Sequence, residues 1–165
     1  MIVRNGTEAD LDRLTEIWHQ GWHEAHASLV PVELTRLRTL PNFRERLRAA
    51  LPDVRVAGPP VAALGFHQLH QDELFQLYVA AEARGTGVAA ALIADAEARL
   101  AQRGVEVAWL ACAIGNDRAA RFYEKSGWVR AGVVINEAET SAGPFPVEVW
   151  RYEKQLRRTS PTVPG

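Results

Sequence analysis

Apolar and polar positions change period several times along the chain, and each change marks an element. Residues 2–4 are a short apolar opening with the form of an edge strand, and Asn5-Gly6 turns the chain. Thr7 stands where a helix N-cap belongs, with Glu8 and Asp10 in the first turn to complement the helix dipole. Leu11, Leu14, Ile17 and Trp18 share one helical face, which predicts a helix to about residue 25. Pro31 interrupts, and residues 32–51 read as a second helical region split by Pro41. Residues 53–57 alternate weakly as a strand. Gly58-Pro59-Pro60 is a turn, residues 61–69 a strand, and His70-Gln71-Asp72 a polar turn. In the strand 73–79, plain alternation sends Leu74, Gln76 and Tyr78 one way and Glu73, Phe75, Leu77 and Val79 the other.

A Gly-containing loop at 82–87 leads into an Ala-rich helix, 88–102. That helix gathers Leu92, Ile93, Ala96 and Leu100 on one face and closes at Gly104. Residues 105–113 form a nearly continuous apolar strand, the pattern of a strand covered on both faces. A further helix at 116–125 stops at Gly127. Strands follow at 128–136 and 147–153, linked through Gly143-Pro144-Phe145-Pro146, and a polar tail at 157–165 is expected to be flexible. Neither a repeat nor a linker interrupts the pattern. The order β α α β β β α β α β β predicts an α/β (α+β) protein, one domain over residues 1–156 with helices flanking a mixed sheet.

Composition narrows the function classes. The chain has 165 residues, 47% hydrophobic and 24% charged, which excludes a disordered chain or a small disulfide scaffold. Nineteen Lys+Arg against twenty Asp+Glu give a net charge of −1, without the basic excess of a dedicated nucleic-acid binder. Lys125 and Lys154 are the only lysines; the remaining positive charge is arginine. One cysteine, Cys112, allows no internal disulfide, and its apolar surroundings read as a small buried hydrophobe. The N-terminal residues lack a basic start followed by an apolar run, and no stretch approaches the ~20 apolar residues that cross a bilayer. A cytoplasmic protein with no nucleic-acid or membrane partner is expected.

Two segments carry candidate chemistry. The first is Arg84-Gly85-Thr86-Gly87-Val88-Ala89, between a strand and a helix. Helix N-termini present unpaired N–H groups, and two glycines let backbone approach a phosphate, so the segment has the form of a pyrophosphate cradle. It is not a Walker A loop, because the Gly-Lys-Ser/Thr ending is missing, and Ala90 stands where the dinucleotide fingerprint needs a third glycine. Otherwise it is simply a tight turn opening a helix. The second segment is Asn116-Asp117-Arg118-Ala119-Ala120-Arg121-Phe122-Tyr123-Glu124-Lys125-Ser126-Gly127-Trp128, where Tyr123 is either a packed aromatic or a hydroxyl held in a cleft.

Together, in this order and separated by an apolar strand, the two segments resemble the GNAT superfamily of acyl-coenzyme A-dependent N-acetyltransferases. The family's Gln/Arg-x-x-Gly-x-Gly/Ala motif is matched by Arg84, Gly87 and Ala89; read two residues earlier, its first position would be Glu82. Its Asn-x-x-Ala-x-x-Phe-Tyr-x-x-x-Gly-Trp/Phe segment is matched from Asn116 to Trp128. The resemblance spans nearly the whole chain. It implies a mixed, mostly antiparallel sheet of about seven strands whose fourth strand splays from the fifth into a V-shaped cleft. It further implies acetyl-CoA as co-substrate, with no metal. The pantetheine arm would lie on Leu77, Tyr78 and Val79 and the pyrophosphate on Arg84, Gly85, Thr86, Gly87, Val88 and Ala89. Asn116 would contact the coenzyme arm, Tyr123 would protonate the leaving thiolate, and Glu73 would act as base through water. Ala81 replaces a proline often found at this loop.

His19, His23 and His26 stand at i, i+4 and i, i+3 spacings. Trp22, His23 and His26 are candidate acceptor-side residues, while His19 reads as a packed or surface histidine. Trp109, Trp128 and Trp150 fall on predicted strands and are expected in the core. Two rivals stand beside the enzyme reading: a non-catalytic acyl-CoA-binding module, and a metal-dependent protein using His19 and His23. A homodimer is expected if residues 147–152 lie at a sheet edge. Antibiotics, polyamines, amino acids and protein N-termini all remain open as amine acceptors.

Overall fold

A computed structural model describes residues 1–156; the tail at 157–165, expected to be flexible, lies outside the described residues. The chain runs β1 (Val3–Asn5), α1 (Leu11–His26), α2 (Val32–Leu37), α3 (Leu40–Ala50), β2 (Val54–Ala57), β3 (Gly65–His70) and β4 (Glu73–Val79). It continues with α4 (Val88–Gln102), β5 (Val107–Ala113), α5 (Asp117–Lys125), β6 (Val129–Ala138) and β7 (Phe145–Gln155). The strands form one seven-stranded sheet in the order β1-β2-β3-β4-β5-β7-β6. Every pairing is antiparallel except β4 with β5.

Several expectations need correction. The helical region 32–51 divides at Arg38 and Thr39 rather than at Pro41. Thr39 is the N-cap of α3, its hydroxyl accepting the Asn42 N–H at 3.2 Å, and Pro41 sits in the first turn, where no backbone donor is needed. The strand expected from residue 61 starts at Gly65. The turn runs on through Val61, which holds a φ of 68°, and the missing side chain of Gly65 admits close packing: a Cβ there would stand 2.8 Å from the Tyr78 carbonyl oxygen. Phe145 and Pro146 belong to β7, paired with Ala138 and Glu137, rather than to the link before it. Trp128 is in the core, but Trp109 and Trp150 are only half-buried, stacked by the Arg151 and Arg130 guanidinium groups at 4.4 and 3.8 Å from the ring centres. β7 lies between β5 and β6, so it offers no edge for dimerisation; the edge strands are β1 and β6.

The sheet buries aromatic side chains against α1 and α3, where Trp18 meets Phe43 at 4.5 Å and Phe66 at 6.0 Å between ring centres. A second core packs Leu69, Leu74, Ile93, Ala96, Leu100 and Leu110 between the sheet and α4. A β-bulge decides which residues of β4 reach which core. Gln68 pairs Gln76, but Leu69 pairs Leu74, which leaves Phe75 unpaired as the extra residue. The bulge changes the parity, so Glu73 comes to the same face as Gln76 and Tyr78 instead of the opposite one.

Tyr78 is fixed from above by α1. It lies 6.1 Å from Phe66 and 6.4 Å from Trp18, and its ring passes so close to Gly21 that a Cβ there would stand 2.7 Å from Cδ1. Gly21→Ala gains about 1 kcal/mol of helix propensity but overpacks the contact by about 1–3 kcal/mol. The expected net outcome is a loss of stability, read as a melting temperature lowered by a few degrees (about 2–4 °C per kcal/mol at this chain length).

Candidate active site

β4 and β5 touch at one end only. Their single paired position is Glu73 with Trp109, reinforced by Trp109 N–H donating to the Asp72 carbonyl at 3.2 Å and by Trp109 Nε1 donating to Asp72 Oδ1 at 3.0 Å. Beyond that point the strands part, and the V-shaped cleft expected of the family opens between them.

On the α4 side the cleft is a cavity of about 380 Å³. Of the residues expected to hold the coenzyme, Leu77, Tyr78, Val79, Arg84, Gly85, Gly87, Ala89 and Asn116 line it, together with Tyr123. Thr86 and Val88 do not. The Thr86 hydroxyl and N–H both bond the Ala83 carbonyl, and Val88 is buried in the core.

Gly87 caps α4 from a left-handed conformation, φ 89°, and Gly85 has a φ of 77°; both conformations favour glycine. A Cβ on either would meet nothing within 4 Å, so open space lies in front of this backbone. Ala91 N–H makes the first bond back to the Gly87 carbonyl, and the N–H groups of Val88, Ala89 and Ala90 precede it without intrahelical partners. Free donors, a helix N-terminus and room at the glycines fit a phosphate-bearing group. Arg84 faces the same space but is held by Glu24, at 2.8 and 3.1 Å, and Glu24 also lies 3.7 Å from Arg118.

On the opposite side, toward α1–α3, lies a cavity of about 230 Å³ whose walls include Trp22, His26, Arg38, Arg46, Glu73 and Tyr78. A small cavity of about 80 Å³ lies between the two and shares walls with each: His26, Gln76 and Tyr78 with the far cavity, and Tyr78, Asn116 and Tyr123 with the cradle side. The Tyr123 ring is set by Phe122, Trp128 and Tyr152, 5.4–6.4 Å away, and its hydroxyl has no hydrogen bond among the described residues. Burial raises its pKa above the ordinary phenol value, so it stays protonated and able to donate. Asn116 caps α5, its Oδ1 accepting the Ala119 N–H at 3.4 Å. Burial pushes the neighbouring Cys112 thiol up to about 11, which leaves it inert.

Glu73 is 6% exposed. Burial, with repulsion from Asp72, pushes its carboxyl up to about 7 against the weaker pull of Arg151. It does not share a cavity wall with Tyr123; the small cavity between them is walled by His26, Gln76 and Tyr78. Among the histidines, His26 stacks on Trp22 at 5.0 Å, and its Nδ1–H donates to the Trp22 carbonyl at 2.9 Å. A carbonyl only accepts, so Nε2 keeps its lone pair. Burial lowers the His26 pKa. His23 donates from Nε2 to the Arg38 carbonyl at 2.6 Å and is not among the residues lining these cavities; His19 packs against it and Phe43. Among the described residues no group of three or more His, Cys, Asp or Glu side chains could hold a metal, and no helix is long and apolar enough to cross a membrane.

Arg38, Arg46, Gln76 and Glu24 were not singled out from the sequence. The arginines come from helical segments without a motif, and Gln76 shares the face of Tyr78 by plain alternation but belongs to no motif.

The family model described as Acetyltransferase (GNAT) family matches residues 11–128. The chain therefore belongs to the GNAT acetyltransferase family. No curated protein matches it in sequence. Its fold resembles a GCN5-related N-acetyltransferase from Rhodopseudomonas palustris, at 19% identity and a TM-score of 0.72 over 93% of this chain and 94% of that one. It also resembles an N-acetyltransferase from Staphylococcus aureus Mu50, at 17% identity and a TM-score of 0.72 over 94% and 98%. A third likeness is the PaiA N-acetyltransferase from Thermoplasma acidophilum in complex with coenzyme A, at 19% identity and a TM-score of 0.63 over 93% and 98%.

The raised pKa of Glu73 predicts a pH-dependent stability difference. A carboxyl whose folded value exceeds its unfolded one contributes stability that is present at acid pH and is lost as pH rises through the folded value. In paired denaturant melts, Glu73→Gln is expected to gain on the wild type between about pH 4.5 and 7, by on the order of 2–3 kcal/mol. A difference that stays flat with pH removes the buried-carboxyl assignment.

Proposed function

We propose that residues 1–156 form one acetyltransferase domain that moves an acetyl group from acetyl-CoA to a primary amine by direct attack within a ternary complex. The observation that carries this reading is the cleft through the sheet. An unpartnered Tyr123 hydroxyl stands at the junction of a donor-rich phosphate cradle on one side and a cavity holding Glu73 on the other. Coenzyme A in the PaiA structure supports the choice of donor.

Each role has a physical reason. The N–H groups of Val88, Ala89 and Ala90 would hold the pyrophosphate, joined by Arg84 as it leaves or shares Glu24. Leu77, Tyr78 and Val79 are paired with β3 on one side, and their backbone groups on the other, left without β5 partners by the splay, would bond the pantetheine arm with Asn116 beside it. An amine arrives protonated. Glu73, with its carboxyl near neutrality, takes that proton through water in the space beside His26 and Gln76. The amine nitrogen then bonds the thioester carbonyl carbon while backbone N–H groups polarise the oxygen, the nitrogen gives up its second proton to water, and the carbon–sulfur bond breaks as the carbonyl re-forms. Tyr123 gives its proton to the thiolate and regains one from solvent, so an ammonium and a thioester become an amide, a thiol and one released proton.

Turnover of acetyl-CoA, followed by thiol release across an amine panel, tests the whole reading. A non-catalytic module would show acetyl-CoA binding without turnover. Acetyl-CoA is expected to raise the melting temperature of the wild type, since affinity for the folded state adds to stability. Gly87→Val fills the open space before the cradle and is expected to abolish that shift; a full shift in the variant refutes the placement of the phosphates. Tyr123→Phe is expected to lower turnover by about 10²-fold, the lower end of general-acid effects, because a thiolate already leaves readily. Acetyl-CoA affinity and melting temperature are expected to stay near wild type. Unchanged turnover removes Tyr123 from the mechanism.

A further inference from the structure

Resting on the acetyl-transfer reading above, we propose that the acceptor is an amino acid: an amine whose free carboxylate is bound by Arg38 and Arg46 in the cavity beside Glu73. These two residues are anomalous among the charges of this molecule. Arg38 is 4% exposed, and arginine is almost never buried so fully without an anionic partner. Its Nη1 donates to the Glu139 carbonyl at 2.6 Å and lies 3.4 Å from Asn42 Oδ1, while its buried Nε has no partner. No carboxylate lies within ion-pair distance of Arg38 or Arg46 among the described residues, whereas the buried Asp10 is paired to Arg4 and Asp95 to Arg55. Arg46 is half-buried, its guanidinium 4.5 Å from the centre of the Trp18 ring.

Both arginines line the same cavity wall. The first arrives from the turn between α2 and α3, fixed by the His23 bond to its carbonyl, and the second from α3. Two cations held together repel. Burial, and for Arg46 the nearby Arg38, lowers the affinity of both groups for their protons. The exposed Glu139 beyond β6 offsets this in part without forming an ion pair. The other titratable groups on the cavity are Glu137, His26, Glu73 and the Tyr78 hydroxyl. An unpaired buried guanidinium is costly unless a ligand anion completes it, and the planar fork of arginine matches a carboxylate in two parallel bonds.

The cavity thus offers opposite poles. Two guanidinium groups suit the carboxylate, and Glu73 suits the ammonium that must shed a proton. The small cavity that shares walls with both runs from His26 and Gln76 to Tyr123, where the acetyl-transfer reading places the thioester. A polyamine or an aminoglycoside would bring only positive charge to Arg38 and Arg46.

The test uses purified full-length protein, saturating acetyl-CoA and matched acceptors: phenylalanine, phenylalaninamide and phenethylamine; 4-aminobutyrate and butylamine; spermidine; and an aminophosphonate. A carboxylate-bearing acceptor is expected to exceed its matched amine by at least about tenfold in kcat/KM, mostly through KM, because the unpaired arginines penalise its absence. In Arg46→Gln that ratio is expected to fall to within about threefold. Arg38→Gln should do the same, and if it fails to fold, the Arg46 variant and the wild-type ratios decide alone. Equal rates within the pairs overturn the proposal while leaving acetyl transfer to amines intact. Preference for spermidine or for the phosphonate does so too. Turnover with none of the amines removes the acetyl-transfer reading itself, and this inference with it.

Discussion

The site depends on β4 and β5 being joined at one point and no further. Parallel neighbours normally bond along their length, and an unpaired buried backbone group costs about 1–3 kcal/mol. Here the pairing stops after Glu73 and Trp109. Asp72 anchors that point twice, through its carbonyl to the Trp109 N–H and through its carboxylate to the indole N–H, and Arg151 covers the indole face. With the base of the V fixed, the remaining length of β4 keeps donors and acceptors that only something other than strand β5 can satisfy. A ligand arm lying along β4, as proposed for the pantetheine, would supply what the sheet withholds, and the gap would then contribute to the ligand's binding energy.

The bulge at Phe75 is the second constraint. Without it Glu73 would face α4 and the leucine core, where a carboxylate has no place. With it, Leu74 joins that core while Glu73 turns to the cavity beneath α1. The charges are then sorted by side. At the cradle, Arg84 and Arg118 meet Glu24, an exposed partner that an incoming phosphate can replace at little cost. At the far cavity the balance is reversed: Glu73 is buried without a cation within ion-pair distance, and Arg38 and Arg46 lack carboxylate partners among the described residues.

The legible parts of the sequence were those whose signal is local. α4 and α5 are marked by their periodicity and by the residues that cap them, Gly87 and Asn116, and the cradle glycines lie where a helix N-terminus makes such residues useful. Tyr123 was readable because its spacing from Asn116 is set within one helix. What could not be read depends on partners distant in sequence. Alternation in β4 gave Glu73 the wrong face because a bulge exists only relative to β3. The place of β7 was missed because insertion between β5 and β6 depends on pairing across the sheet, and an apolar strand at the C-terminal end resembles an edge as readily as an interior strand. Trp109 and Trp150 looked like core residues because hydrophobicity does not reveal that an arginine on a neighbouring strand will cover the ring.

One helical turn ties the two halves of the cleft together. Residues four apart on a helix lie on one face, and adjacent residues are turned by about 100°. At the end of α1, Gly21 and Ala25 border the cradle side, while Trp22 and His26 border the far cavity. The missing side chain at Gly21 allows Tyr78 to lie against the helix, and Tyr78 in turn reaches all three cavities. The depth at which α1 sits on the sheet therefore sets the width of both openings at once. A larger residue at position 21 would lift the helix from β4, moving Glu24 relative to Arg84 on one side and His26 relative to Glu73 on the other. A small residue here is a requirement of the site's geometry as well as of packing. Its replacement would disturb coenzyme and acceptor binding together, whereas changes at Arg84 or at Arg46 would each disturb only one.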